Sequence, residues 1–139
     1  MSTPVGPDLV ATRMGIVSGH LILESGYGSD CDESVRNSII KISGNEVLSG
    51  EINEVVDAVI LWWREDDGDL IDELVDGLTY LSESGLFWLV TPKAGRDGHV
   101  EPSDIQDAAP IAGLSVTSSF QISSDWTATK LVARKSTKK

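Results

Sequence analysis

Two groups of side chains in this 139-residue chain have the types and spacing of a ligand site. The first is Glu24-Ser25-Gly26-Tyr27-Gly28, where an apolar run ends in an acid and two glycines one residue apart. Turns of this kind follow the first strand of nucleotide- and S-adenosylmethionine-binding α/β domains, where glycine lets the backbone approach the cofactor closely and Glu24 could shape the site. Cys31 stands where a dinucleotide fingerprint needs a third glycine, and only Glu46 or Glu51 could supply the ribose-binding acid of a second strand. The turn therefore predicts either one edge of a cofactor cleft or an ordinary tight turn between a strand and a helix.

The second group lies in the loop after a later apolar run and consists of Lys93, Arg96 and His99. In an otherwise acidic chain, three basic side chains in one loop predict a pocket for a phosphate or a carboxylate. Arg64, at the end of the neighbouring apolar run, and the hydroxyl group of Thr91 would complete it. The alternative is that these cations pair with nearby acids, as surface cations commonly do.

The remaining residues form no catalytic or metal-binding set. A general base needs a substrate proton within reach and an orienting carboxylate, and the sequence shows neither for His99. His20 opens a strand and is expected to be structural. Cys31 and the serines lack a nucleophile elbow. The acidic run 65–69 lacks the alternating spacing of a calcium loop, so we expect no metal there and assign no catalytic residue.

Four tryptophans are many for a chain of this size. Trp62 and Trp63 are adjacent, so they must point to opposite faces of one strand. We expect core packing for most of the four. Stacking on a ligand or a partner is the alternative for Trp63, at the strand tip, and for Trp126, in the last turn.

Strands and helices must alternate to position these groups. The predicted fold is a small three-layer Rossmann-like α/β sandwich, with a mostly parallel sheet, right-handed crossovers and a C-terminal antiparallel hairpin. Ser103 and Gln106 match a capping box, and Leu81 completes the apolar face of the second long helix. The pattern predicts helices over 8–14, about 30–42, 70–81 and 103–112, and strands over 16–23, 56–63, 86–91, 114–122 and 128–134.

Residues 45–55 are the ambiguous stretch. Val47-Leu48 could form a very short strand, and 51–55 a single helical turn. A class I methyltransferase core also ends in an antiparallel hairpin. However, the sequence between the first two strong strands is too short for the two strand–helix units that usually intervene in that core.

Charge and composition limit the class of partner. The formal charge is −11, and all 22 acids lie at or before Asp125, while five of the 11 basic residues lie within 130–139. An acidic body repels phosphate backbones, so we expect no nucleic-acid binding. No apolar run is long enough to cross a membrane, a single cysteine forms no disulfide framework, and the N-terminus lacks a secretory pattern, so we expect a cytoplasmic location. Residues 1–7 are predicted to be a disordered leader, 8–134 a single domain and 135–139 a basic tail.

The chain resembles an actinobacterial group of uncharacterised proteins, DUF3052. The resemblance rests on Val59-Ile60-Leu61-Trp62-Trp63-Arg64 with the acidic run after it, on the segment from Trp88 to Ile105, and on the ending from Trp126 to Lys135. The resemblance implies no established activity. At the level of fold it implies a shortened class I methyltransferase or Rossmann-like domain.

Two functions follow as expectations. The first is a non-catalytic domain that binds an anionic small molecule or a partner protein in a regulatory or accessory role. The second is a compact S-adenosylmethionine-dependent methyltransferase, since methyl transfer needs mainly proximity and orientation. A purely structural module that works through its acidic face is a third class.

Overall fold

The computed structural model describes residues 7–50 and 52–133. Helices and strands alternate along most of this span, and a short 3₁₀ turn, Glu65–Asp67, follows the second strand. The elements are α1 (Pro7–Arg13), β1 (Ile22–Ser25), α2 (Glu33–Ser43), β2 (Val56–Trp62), α3 (Leu70–Tyr80), β3 (Leu81–Pro92), α4 (Pro102–Ile111), β4 (Leu114–Gln121) and β5 (Trp126–Ala133).

The strands form one five-stranded sheet in the order β1-β2-β3-β5-β4. The β1–β2 and β2–β3 pairs are parallel, whereas β3–β5 and β4–β5 are antiparallel. The prediction of a mostly parallel sheet is therefore wrong, because the sheet is mixed. The predicted hairpin is present, but its second strand inserts between β3 and β4, so the hairpin contributes two antiparallel pairings.

Helices cover both faces of the sheet, as predicted for three layers. The core on one face includes residues of α1 and α2, and the core on the other face includes residues of α3 and α4. Strand β2 contributes to both cores because alternate side chains point to opposite faces. Trp62 packs with α1 and α2, and its neighbour Trp63 packs with α3 and α4. All four tryptophans are buried, as core packing requires.

The 45–55 stretch forms one isolated parallel bridge, in which Leu48 pairs with Leu23 on the outer edge of β1. The Leu48 amide donates to the Ile22 carbonyl, and the Leu48 carbonyl accepts from the Glu24 amide, both at 2.8 Å. Strands β1, β2 and β3 lie side by side in chain order, whereas α2 and α3 lie on opposite faces of the sheet. If α2 connected β1 directly to β2 and α3 connected β2 to β3, one of these two crossovers would be left-handed, which is very rare. The detour through Leu48 removes this conflict, because the chain steps outward past β1 before it returns to β2. The gap between β1 and β2 is therefore a topological switch point.

Several predicted boundaries differ from the structure, and three of them have a clear physical reason. The first strand is Ile22–Ser25 rather than 16–23; Ile16 is buried, but it lies in the turn region before the strand, where Gly19 has a positive φ. Leu81 begins β3 instead of extending α3, since it pairs with Val56. Glu101 is the N-cap of α4 and Pro102 its first residue, and no capping side-chain hydrogen bond forms, so Ser103 lies inside the helix.

Three predictions concern residues outside the described part of the chain: the leader up to residue 6, the role of Glu51 and the tail from residue 134. Pro7, which is predicted to belong to the leader, is the first residue of α1. Among the described residues, no helix combines the length and apolarity needed to cross a membrane.

Candidate functional site

The carboxylate of Glu24 at the end of β1 is engaged within the protein. Its side chain is almost fully buried and forms an ion pair with Arg36 of α2 at 2.6 Å. The other carboxylate oxygen accepts a hydrogen bond from the Trp62 indole at 3.1 Å. Arg36 also lies over the Tyr27 ring, 3.6 Å from its centroid. Glu24 therefore links β1 to α2 and β2 and has no surface left for a ligand.

The two glycines of the turn, Gly26 and Gly28, differ in how strictly the structure requires glycine. Gly26 has φ +80°, and a Cβ at this position would lie 3.2 Å from the Trp62 carbonyl carbon and closer still to its oxygen. Glycine is thus required here by the close approach of β1 and β2. At Gly28 the φ is not in the left-handed region, and a Cβ would meet the side chains of Asp30 at 3.2 Å and Arg64 at 3.5 Å.

Arg64, at the end of β2, covers this turn. One guanidinium nitrogen donates to the Gly26 carbonyl at 2.8 Å and to Asp67 at 3.1 Å. The side chain also makes two hydrogen bonds to Asp30, at 2.7 and 3.0 Å. These carboxylates raise the pKa of Arg64 further, and the hydrogen bond from Arg64 lowers the pKa of Asp30. The guanidinium is therefore a bound internal cation beside the switch point.

The crevice at the switch point has a volume of about 350 Å³ and is lined in part by Gly26, Arg64, Asp67 and Glu73. Burial, with repulsion from nearby acids that include Asp76, raises the pKa of the Glu73 carboxyl group. In this structure Glu24 is paired with Arg36, the Trp62 carbonyl group lies against Gly26 and Arg64 lies against Gly28, so S-adenosylmethionine could bind at this turn only after Arg64 moved away. Among the described residues, no group of histidine, cysteine or acidic side chains could hold a metal ion.

The predicted cationic loop does not converge on one point. Arg96 lies 3.9 Å from the Asp125 carboxylate and 5.9 Å from the centroid of the Trp126 ring. The Nδ1 atom of His99 lies 2.9 Å from the Pro92 carbonyl oxygen, so Nδ1 carries the proton, and Nε2 lies 3.9 Å from Glu101. In the described part of the chain, Lys93 has no ion-pair partner within 4.0 Å.

Two of the predicted residues, Thr91 and His99, line a cavity of about 250 Å³ between α4 and the sheet. We call this cavity the threonine pocket. Sequence reasoning missed Thr127 and Thr129, because their alternation with apolar neighbours is typical of a strand with one face in water. The remaining lining residues are Ala94, Val100, Pro102, Ile105, Gln106, Val116 and Ser119.

Similar solved structures show which class of fold this is. An O-methyltransferase from neocarzinostatin biosynthesis (NcsB1), in complex with S-adenosyl-L-homocysteine and 1,4-dihydroxy-2-naphthoic acid, matches with a TM-score of 0.68 at 11% identity. The match covers 89% of this chain and 52% of NcsB1, so the chain spans about half the length of that enzyme. A putative type 11 methyltransferase from Sulfolobus solfataricus matches with a TM-score of 0.65 at 12% identity, over 87% of this chain and 88% of that one. The fold is thus a methyltransferase-like, Rossmann-like α/β domain.

The family follows from sequence. The model of a protein family of unknown function, DUF3052, matches residues 11–135. The uncharacterized protein Rv2239c of Mycobacterium tuberculosis is 46% identical over 126 residues, which are 91% of this chain and 79% of that protein. An uncharacterized protein of Mycobacterium bovis, Mb2263c, matches to the same extent. The chain belongs to the DUF3052 family, as its sequence motifs predict.

Proposed function

We propose that this protein is a non-catalytic binding domain on a methyltransferase-like fold, with a regulatory or accessory role. The observation that carries the proposal is the position of Arg64. Its guanidinium is bound to the Gly26 carbonyl, Asp30 and Asp67, on the side of the switch point where the glycine turn would meet a cofactor. A cofactor that approached this turn would have to displace a cation held by two carboxylates.

The ligand of this domain is an anionic small molecule that binds beside loop 93–99. Lys93 and His99 bring basic groups to this loop, and His99 also lines the threonine pocket. Within the described part of the chain, no acidic side chain lines that pocket, in a protein whose net charge is −11. Local charge therefore favours an anion here over the acidic surface elsewhere.

The second candidate is a compact S-adenosylmethionine-dependent methyltransferase. Its support is the Glu-x-Gly-x-Gly turn at the switch point of a fold shared with solved methyltransferases. In that case Arg64 would have to swing out of the crevice before the cofactor bound.

Titration with S-adenosylmethionine and S-adenosylhomocysteine separates the two functions. At 1 mM ligand we expect no heat in calorimetry and no rise in melting temperature. A cofactor at about 100 times its dissociation constant would add about 2.7 kcal/mol to the free energy of unfolding, a clear thermal shift. Such a shift, abolished in Gly28→Val and retained in Thr117→Val on β4, would replace our proposal with the methyltransferase.

A further inference from the structure

The threonine pocket contains hydrogen-bonding groups that the protein leaves unused. Thr91 and Thr129 are only 3% and 7% exposed. Neither hydroxyl has a hydrogen-bond partner among the described residues. In the same part of the chain, every polar side-chain atom that is fully shielded from solvent does have a hydrogen-bond partner, so these two oxygen atoms are not fully shielded. Both hydroxyl groups must therefore border open space, and the cavity that both residues line supplies it. Buried hydroxyl groups without a protein partner are expected to bond to something in the pocket.

The hydroxyl groups have a defined spacing. Thr91 pairs with Thr127 across β3 and β5, and Thr129 follows two residues further along β5. Residues i and i+2 of a strand lie on the same face, about 6.8 Å apart. The pocket thus offers one polar position at Thr91, near loop 93–99, and a second at Thr129, about 7 Å further along β5, where Thr129 is paired with Ser119.

The remaining lining residues limit the polarity and the size of a ligand. Val100, Ile105 and Val116 are apolar, and no lysine, arginine or carboxylate among the described residues lines the cavity. Of the lining residues that the structure describes, His99 is the one with a titratable side chain, and its Nδ1 donates a hydrogen bond to the Pro92 carbonyl. A volume of about 250 Å³ is slightly below the roughly 300–1,000 Å³ typical of pockets for drug-sized ligands.

We infer that the threonine pocket binds a small, flat hydroxycarboxylic acid. Its carboxylate accepts a hydrogen bond from the Thr91 hydroxyl, at the end of the pocket beside loop 93–99, and its hydroxyl group bonds to Thr129 about 7 Å further along β5. Its apolar body packs against Val116 and Ile105. This inference rests on the proposed function and names the class of anion.

The test uses three matched probes: 4-hydroxybenzoate, benzoate without the far hydroxyl group, and 4-hydroxybenzamide without the charge. Each probe is titrated into the full chain, and binding is followed by the chemical shifts of the backbone amides. We expect 4-hydroxybenzoate to bind most tightly, benzoate more weakly and 4-hydroxybenzamide most weakly. Thr129→Val should weaken 4-hydroxybenzoate binding about threefold to tenfold, the range of one hydrogen bond, and leave benzoate binding unchanged. Thr91→Val should weaken the binding of both acids.

Thr117→Val is the matched control, because Thr117 lies on the same sheet but its hydroxyl donates to the Lys130 carbonyl outside the pocket. Unfolding curves must show that the Thr91 and Thr129 variants remain folded; since neither hydroxyl bonds to the protein, neither change should lower stability. Absence of binding, equal affinity for the amide, or an equal effect of Thr129→Val on both acids would overturn the inference. None of these results would restore the methyltransferase, which stands or falls on the cofactor titration.

Discussion

Replacing the two glycines of the turn by alanine, one at a time, tests whether the turn is structural. In Gly26→Ala the new residue keeps φ +80°, at a cost of about 1–2 kcal/mol for an L-amino acid. Its Cβ also collides with the Trp62 carbonyl group, which belongs to the backbone and moves only with β2. Overpacking of this kind costs about 1–3 kcal/mol, so the variant should lose roughly 2–5 kcal/mol of unfolding free energy.

Gly28→Ala is the matched control. Its φ is not in the left-handed region, and the nearest atoms belong to the ends of two side chains that can shift, Asp30 and Arg64. Because alanine also restricts the unfolded chain by about 0.4–1 kcal/mol, the net change should stay within about 1 kcal/mol of zero. A cofactor-binding turn without structural constraints would tolerate both changes equally.

Urea unfolding followed by tryptophan fluorescence measures both variants, since all four indoles are buried in the native state. For a domain of this size, 1 kcal/mol corresponds to roughly 3–5 °C in melting temperature. Gly26→Ala should therefore melt at least about 3 °C below Gly28→Ala. If the two variants unfold at the same urea concentration, the close approach of β1 and β2 does not explain Gly26, and the reasoning fails.

Three further predictions concern the charged groups. Glu24→Gln should cost about 1–3 kcal/mol in urea unfolding, because Arg36 loses its charged partner, whereas Glu46→Gln on the surface should change nothing measurable. The hydrogen bond from Arg64 lowers the pKa of Asp30, so its stabilisation is present above the unfolded pKa and is lost as pH falls through the lower folded value. The stability difference between wild type and Asp30→Asn should therefore shrink below about pH 4, and a difference that is constant from pH 7 to pH 2.5 would contradict the pairing. Burial and neighbouring acids raise the pKa of Glu73, so the charged form of Glu73 disfavours the folded state. Glu73→Gln should therefore raise the melting temperature at pH 7, and this gain should disappear in acid, where Glu73 is protonated in both states. A lower melting temperature of the variant at pH 7 would contradict this reasoning.

The parts of the fold that local chemistry determines were predictable. Asp32 and Asp69 cap α2 and α3, and Gly44 ends α2 in the left-handed conformation, so these helices follow from short-range signals. Strand β2 was recognisable because it is apolar on both faces. The start of β3 was not, because the helical periodicity of α3 continues through Leu81 and only pairing with Val56 assigns that residue to the sheet.

The geometry of the site depends on contacts between distant segments, which one sequence does not display. Arg64 was identified as a site residue, but its partner Asp30 lies 34 residues earlier, across the switch point. The threonine pocket depends on the place of β5 between β3 and β4 and on the cover supplied by α4. A strand order of this kind is set by long-range packing, so Thr127 and Thr129 look like surface residues until the hairpin is placed.

The bridge at Leu48 has a consequence for how this domain could change in length. Two backbone hydrogen bonds are all that the bridge contributes to the outer edge of β1. An additional strand–helix unit spliced in just after Leu48 could take over that edge while the pairing of β1, β2 and β3 stayed as it is. We therefore expect the chain to tolerate an insertion at this point, with the sheet widening outward from β1 and the threonine pocket, at the other side of the sheet, left undisturbed.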